Sequence, residues 1–175
     1  GLPWAARADA FGDAVEAYRI QDYAAAVQGF KPLAEDGDAR AQFALGLLHD
    51  NGEGLPQSDR DALRWYEKSA AQGYAKAQYN LGVMLAQGHG LAQDHDTALQ
   101  YFELAAAQGH SSAHYNLGVI HSQTSQEPDV QASDLPKAMG HYRSAAALGH
   151  PQAQFNLGCF SANGWGMPQD YAEAL

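Results

Sequence analysis

The stretch Ala77–Gly109, AQYNLGVMLAQGHGLAQDHDTALQYFELAAAQG, decides the fold because its pattern recurs on both sides of it. The opening motif of this stretch begins four times, at steps of 36, 36 and 40 residues: AQFALGLL at Ala41, AQYNLGVM at Ala77, AHYNLGVI at Ala113 and AQFNLGCF at Ala153. Such periods are typical of solenoids, in which each helix hairpin packs on its neighbours. We therefore expect one continuous repeat array over residues 1–175.

Helix start and stop signals recur in the same register as the motif. Side chains that can cap the second helix of each pair stand at Asp22, Ser58, Asp94, Asp134 and Asp170. Glycines that can close that helix in the left-handed conformation stand at Gly37, Gly73, Gly109 and Gly149. The first pair of helices is predicted over residues 5–19 and 23–35. We expect a kink or break near Pro32, because proline inside a helix costs about 3 kcal/mol.

Small and aromatic residues predict how the hairpins pack. A glycine stands inside the first helix of each pair, at Gly46, Gly82, Gly118 and Gly158. A helical glycine costs about 1 kcal/mol relative to alanine, so a recurring one predicts that another backbone passes too close for a methyl group. Aromatic residues in one register, Tyr66, Phe102 and Tyr142, are predicted to fill the core. The G-x-G segments at 51–54, 87–90 and 163–166 are predicted to be compact turns.

Charge and cysteine content limit the classes of function. Twenty acidic residues against ten lysines and arginines give a formal net charge of −10. Because phosphate neutralisation supplies most sequence-independent affinity for nucleic acids, this charge argues against DNA or RNA binding and favours a basic or neutral protein partner. The single cysteine, Cys159, excludes an intrachain disulfide and a multi-thiolate zinc site. No apolar run is long enough to cross a membrane.

The chain lacks the short motifs that mark common active sites. G-x-S-x-G, H-E-x-x-H and C-x-x-C are all absent. His110 and His114 share a helical face, but His121 lies about 10 Å further along that face, too far to bind the same metal ion. The sequence therefore predicts a non-enzymatic protein with no catalytic residues, no metal site and no cofactor.

The repeats resemble the Sel1-like repeat family, a relative of the tetratricopeptide repeats. The shared features are an opening A-x-A-type helix with Leu-Gly, a G-x-G loop, an Asp cap, and A-A-x-x-G at the end of the second helix. The resemblance assigns Sel1-like units to 41–76, 77–112 and 113–152, a partial unit to 153–175, and a tetratricopeptide-like cap to 11–40. It implies an all-α fold, a right-handed α-solenoid of stacked antiparallel helix pairs.

The resemblance implies an adaptor or scaffold that binds a peptide or protein segment in a concave groove lined by the opening helices. Asparagines recur in register at Asn80, Asn116 and Asn156, and tetratricopeptide relatives bind a peptide backbone with such a ladder. Supporting polar groups stand at Gln42, Gln78, His114 and Gln154. The sequence leaves open the alternative that each asparagine bonds a neighbouring helix or turn.

Two departures from the family pattern bear on alternative functions. The third unit replaces the G-x-G loop by the longer segment Gln123–Ser133, which is either a tolerated surface insertion or a contact loop for a partner. Some cysteine-rich members of the family resemble penicillin-binding proteins, so a cell-wall-related or β-lactamase-like activity is the alternative function. Having one cysteine weakens that alternative here. A third interpretation is a spacer between other domains.

The first residues, GLPWAARADAF, favour an exported bacterial protein. Ala8-Asp9-Ala10 is similar to the A-x-A cleavage site of a secretory signal, which predicts a periplasmic or secreted location. The alternative is an ordinary helix start in a cytoplasmic protein. At the other end, Asp170–Leu175 opens a helix pattern and stops, so this end is expected to be cut from a longer protein whose number of repeats the sequence leaves open. The sequence leaves the partner and the oligomeric state open.

Overall fold

The fold is helical throughout the residues that the structure describes. The structure is a computed structural model. It describes residues 4–90, 92–124 and 131–162, and the side chains of residues 9–90, 92–122 and 135–159. No strand occurs in these ranges. The helices within them are α1 Trp4–Arg19, α2 Tyr23–Glu35, α3 Ala39–Asn51, α4 Asp59–Ala71, α5 Ala75–Gln87, α6 His95–Ala107, α7 Ser111–Thr124, α8 Gln131–Ala147 and α9 Pro151–Ala162. None of these described helices combines the length and the apolar character that crossing a membrane requires.

The chain divides into two compact units, residues 1–101 and 102–175, with the boundary inside α6. In the first unit, α1 packs on α2, α2 on α3, α3 on α4, and α4 on α5. In the second unit, α7 packs on α8, and α8 on α9. Within each unit, these helices therefore pack on their neighbours along the chain, as the predicted hairpin repeat requires. A single array over the whole chain stays a prediction.

The predicted helix boundary signals are present where the structure describes them. Three caps each accept a hydrogen bond from the backbone amide three residues later, at 3.1, 3.2 and 3.0 Å, and these caps are Asp22, Ser58 and Asp94. The four closing glycines have positive φ angles of 94°, 83°, 81° and 83°, at Gly37, Gly73, Gly109 and Gly149. Only glycine adopts this conformation without steric cost, so these four stop signals are confirmed.

The start of α8 differs from the prediction. This helix begins at Gln131, so Asp134 lies inside it and does not precede its first turn. Gln131 and Ala132 have favourable helix propensities and extend the helix ahead of Asp134. The predicted cap at Asp170 and most of the predicted insertion, residues 125–130, lie outside the described residues.

The predicted break near Pro32 is not seen, because α2 runs without interruption from Tyr23 to Glu35. The carbonyl of Pro32 still accepts a hydrogen bond from the Asp36 amide at 3.0 Å. Three residues around the proline are buried, Phe30, Leu33 and Ala34. Their burial offsets the hydrogen bond that proline cannot donate.

The mid-helix glycines make room for aromatic rings. A Cβ atom on Gly46 would lie 2.5 Å from Cδ1 and Cε1 of Tyr66, and one on Gly118 would lie 2.7 Å from the same atoms of Tyr142. Both rings are buried, as predicted. At Gly46 and Gly118 the close approach is confirmed, but the neighbour is a tyrosine ring and not the predicted backbone. Gly158 has no described atom within 4 Å of its Cβ position.

The loops of two hairpins contact the hairpin before them. A Cβ atom on Gly54 would lie 2.8 Å from the Tyr23 carbonyl oxygen, and one on Gly90 would lie 3.0 Å from the Asp59 Cβ. Both glycines have positive φ, 70° and 76°. Glycine is therefore required twice over at these positions, by conformation and by space. The compact turns at 51–54 and 87–90 are confirmed, and 163–166 lies outside the described residues.

Candidate functional site

Four of the predicted binding residues occupy equivalent positions and tie one helix to the end of the preceding helix. Each reaches the carbonyl oxygen eight residues earlier in the chain. The amide nitrogens of the three glutamines lie 3.1, 3.5 and 3.4 Å from these oxygens, in the pairs Gln42 to Ala34, Gln78 to Ala70 and Gln154 to Ala146. The His114 ring donates to Ala106 in the same way. The accepting carbonyls belong to the last turn of a helix, where carbonyl oxygens find no amide donor within their own helix.

These four side chains differ in how far they are buried. Gln42 and Gln78 are only 6% and 5% exposed, whereas Gln154 is exposed and His114 half-buried. Gln42 also accepts a hydrogen bond of 2.8 Å from Gln72, which itself donates to the Gly37 carbonyl at 3.0 Å. The two buried glutamines are therefore part of the packing between helix pairs.

Asn80 bonds a neighbouring helix in the first unit. Its half-buried amide donates to the hydroxyl of Tyr66, and that hydroxyl donates to the Asp50 carboxylate at 3.1 Å. Burial raises the pKa of Tyr66 far above its usual value, the Asn80 donor opposes that rise, and Asp50 adds to it. This is the arrangement that the sequence left open as the alternative to a peptide-binding ladder.

Asn116 and Asn156 differ from Asn80. Both are half-buried, and neither side chain takes part in a hydrogen bond among the described residues. In the register of Tyr66, the residue fourteen positions before Asn116 is Phe102, which has no hydroxyl group to offer, whereas the one before Asn156 is Tyr142. These two amides keep unused donors and acceptors. Their role in binding a peptide stays a prediction.

Three histidines form a row between α7 and α8. The Nδ1 atoms of His114 and His141 are 3.2 Å apart, so one ring donates and the other accepts. The His121 ring stacks on His141 with centroids 5.6 Å apart and planes at 6°. Burial lowers the pKa of His114 and His141, and the nearby histidine charges lower that of His141 further. Among the described residues, no three histidine, cysteine or carboxylate side chains are placed to hold one metal ion.

A groove of about 350 Å³ lies in the first unit, and none of its lining residues was predicted from the sequence to bind a partner. Its lining comes from α1, α2, α3 and the start of α5, and is mainly aromatic and aliphatic: Phe11, Val15, Tyr18, Phe30, Arg40, Phe43, Ala44, Leu47, Tyr74 and Lys76. Phe11 packs on Phe30 and Phe43 on Tyr74, with centroids 5.5 and 5.4 Å apart. The opening helices of three successive hairpins thus contribute to one apolar surface.

Two cations lie in this lining. The Arg40 guanidinium carbon stands 4.2 Å above the centre of the Phe11 ring, and Asp38 accepts from its Nε and Nη2 at 3.2 and 2.7 Å. Burial raises the pKa of Asp38, but Arg40 and two backbone amides outweigh that effect and lower it overall. Lys76 is exposed and belongs to none of the ion pairs within the described part of the chain.

Helix pairs that pack in sequence, with one side-chain tie at equivalent positions, define an all-α repeat protein of the α-solenoid class, as predicted. The Sel1 repeat profile matches residues 39–74, 75–110, 111–150 and 151–175. The chain therefore belongs to the Sel1 repeat family. The matched repeats begin two residues before the predicted ones. Repeats of this family are in general non-catalytic and serve protein–protein interaction.

Two solved structures are similar to this chain. One is a Sel1 repeat protein from Oxalobacter formigenes, 29% identical, with a TM-score of 0.81 over 93% of this chain and 63% of that chain. The other is c5321, a protective antigen present in uropathogenic Escherichia coli strains that displays an SLR fold. It is 26% identical, with a TM-score of 0.77 over 91% of this chain and 35% of that chain. This chain thus spans less than two thirds of either protein's length. No curated protein matches it.

Proposed function

We propose that this chain is a non-catalytic scaffold that binds a segment of a protein partner, and that the groove of the first unit is its contact surface. The observation that carries the proposal is the groove of about 350 Å³ with an aromatic lining. Peptide and small-ligand sites are mainly apolar pockets of about 300–1,000 Å³ with a few polar groups that fix orientation. The groove fits that description at the lower end of the range.

Exposure of apolar groups supports this assignment. Val15 lines the groove and is 44% exposed, although burying a valine side chain stabilises by about 1.5–3 kcal/mol. Tyr74 also faces the groove from the residue before α5, and makes no capping hydrogen bond with its side chain. A partner side chain that enters the groove would cover this apolar surface, which favours binding.

Peptides selected from a random display library on the intact chain test the proposal. A Val15→Gln variant removes apolar contact without adding charge, and we expect it to weaken the selected peptides about tenfold. Ile20→Gln is the matched control, because Ile20 is 61% exposed in the same unit and does not line the groove. Binding is measured by fluorescence anisotropy. Equal effects of the two variants would show that the groove is not the contact surface.

Asn116 and Asn156 remain candidates for a second set of contacts in the second unit. Their half-buried amides have no hydrogen-bond partner among the described residues. Asn116→Ala with Asn156→Ala is expected to weaken an extended peptide that reaches this unit. If the double variant binds every selected peptide as the parent does, these asparagines are not part of the binding surface.

The β-lactamase-like and cell-wall-related alternative stays a prediction. Incubation of the chain with a fluorescent penicillin tests it directly. A covalent adduct or turnover of the penicillin would contradict a purely non-catalytic scaffold.

A further inference from the structure

We propose that the groove of the first unit recognises an acidic side chain next to a bulky apolar one. This inference rests on the proposed function, and it names the chemistry of the partner. The partner is a protein segment in which aspartate or glutamate stands next to an aromatic residue or leucine. The apolar residue fills the groove, and the carboxylate pairs with cations in its lining.

The apolar half of the site is built by rings from three helices. Phe11, Phe30 and Phe43 come from α1, α2 and α3, and Leu47 adds an aliphatic side chain. Phe30 is buried and the others are half-buried, so their faces remain available in the groove. The volume of about 350 Å³ suits one or two side chains and not a folded domain.

The polar half of the site is cationic. Lys76 and Arg40 are the only charged residues in the groove lining, which contains no aspartate or glutamate. In a chain of net charge −10 with twice as many acidic as basic residues, a lining with two cations and no acid differs from the average surface. Two acids contact the lining from outside it, Asp38 on Arg40 and Glu53 on the Tyr18 hydroxyl. The exposed Lys76 is therefore the cation of the lining that no acid of the described residues neutralises, and it attracts a carboxylate of the partner.

Arg40 is held in place for such a contact. Two of its five N–H donors bind Asp38, and the ring of Phe11 supports the guanidinium plane at 4.2 Å. The Nη1 donors are not used by Asp38, and the side chain is 42% exposed. A guanidinium whose position is already fixed loses little conformational entropy when it binds a carboxylate. Asp38 thus orients Arg40, while the exposed Lys76 supplies an unpaired charge.

The local charge opposes the preference that the net charge predicts. At physiological salt, charges further away than about 8 Å are largely screened. The charged groups closest to the bound segment therefore decide which charge that segment should carry. The basic or neutral partner expected from the sequence reflects the average field of the chain. The groove favours an acidic segment at short range.

The test uses capped peptides of the form acetyl-Gly-Gly-Phe-Glu-Gly-Gly-amide, with Leu or Trp in place of Phe and Gln or Lys in place of Glu. Affinity for the intact chain is measured by calorimetry at low and high salt. We expect the Glu peptide to bind about fivefold more tightly than the Gln peptide at low salt, and this ratio to approach one at high salt. The Lys peptide is expected to bind most weakly.

Two lysine variants locate the effect. Lys76→Gln is expected to weaken the Glu peptide more than the Gln peptide, and so to reduce the preference for Glu. Lys31→Gln is the matched control, because Lys31 is exposed in the same unit and does not line the groove. Equal affinities for the Glu and Gln peptides, or a preference that Lys76→Gln leaves unchanged, would overturn the inference.

The same series separates this inference from the proposed function. If the Glu and Gln peptides bind equally and Val15→Gln weakens both, the groove binds peptides but does not select acidic ones. If Val15→Gln has no effect on any peptide, the groove is not the site and both proposals fail. Concentration-dependent dimerisation that Val15→Gln abolishes would assign the groove to a second copy of this chain and overturn the acidic-segment proposal.

Discussion

The ring of Tyr66 occupies the space beside Gly46 that a Cβ atom would need, because that atom would lie 2.5 Å from Cδ1 and Cε1 of the ring. Gly118 and Tyr142 stand in the same relation at 2.7 Å. Each pair joins the first helix of a hairpin to its second helix. The glycine is therefore set by packing within the hairpin, since its helical φ would suit any residue.

Gly46→Ala is expected to destabilise the first unit by about 1–2 kcal/mol. The methyl group must displace the buried Tyr66 ring, which costs about 1–3 kcal/mol, and the better helix propensity of alanine returns at most about 1 kcal/mol. Gly12→Ala is the control, because nothing lies within 4 Å of its Cβ position in α1 and it should be neutral or slightly stabilising. Urea denaturation followed by circular dichroism gives both values. Equal stabilities of the two variants would contradict the packing explanation.

Gln42→Ala is expected to cost about 1–3 kcal/mol of stability, because it removes two hydrogen bonds of a buried amide, one to the Ala34 carbonyl and one from Gln72, each worth about 0.5–1.5 kcal/mol. Gln154→Ala, at the equivalent exposed position, is expected to change stability by less than about 0.5 kcal/mol. The free energy of unfolding is measured for both. A Gln42→Ala variant that is fully stable but no longer binds peptide would assign Gln42 to the binding surface instead.

The pair His114 and His141 is expected to make the α7–α8 packing sensitive to acid. Burial lowers both pKa values in the folded state, so the unfolded chain binds protons first as the pH falls. Stability should therefore be constant above about pH 7.5 and decrease as the pH falls through the unfolded value of about 6.5 and below. Hydrogen exchange of α7 and α8 amides between pH 8 and pH 5 measures the change.

His114→Gln gives a matched control for the pH dependence. Glutamine stands at the equivalent positions 42, 78 and 154 and reaches the same carbonyl, so the variant should keep its stability at pH 8. It removes one titrating group and the charge repulsion with His141. We expect a flatter pH profile between pH 7 and pH 5. A profile as steep as that of the parent would mean that other groups govern the acid response.

Asn80 and Tyr66 are expected to be energetically coupled. Asn80→Ala, Tyr66→Phe and the double variant form a cycle that measures the bond between the amide and the hydroxyl, with an expected coupling of about 0.5–1.5 kcal/mol. Asn116→Ala serves as the comparison, since Asn116 has no such bond within the described residues. It should change stability by less than about 0.5 kcal/mol. Additive effects in the cycle would show that Asn80 does not depend on Tyr66.

Much of the fold could be predicted from local signals. Cap residues such as Asp22 and closing glycines such as Gly37 act within one turn of the helix, so their effect can be read from neighbouring residues. The start of α8 could not be predicted in this way, because residues before Asp134 with good helix propensity extend the helix toward its N-terminus. Export and the extent of the full protein stay predictions, and Ala8–Ala10 lies within α1.

The candidate site was harder to predict, because periodicity shows which positions are equivalent but not which partner each side chain finds. Asn80 and Asn116 occupy the same register, yet only Asn80 has a hydroxyl to bond, since the position of Tyr66 is taken by Phe102 in the next repeat. The residues that line the groove were missed for a similar reason. Phe11 and Lys76 are 65 residues apart in the chain, and only folding brings them into one lining.

The tie from Gln42 to Ala34 recurs from Gln78 to Ala70, one period further along the chain. Excision of residues 39–74 would therefore bring Gln78 to the position of Gln42 and leave Asp38 directly before the first turn of α5. The hydrogen bond that ties one helix pair to the next would be kept in the shortened protein. A gene can therefore gain or lose a whole repeat while this hydrogen bond between successive helix pairs is kept.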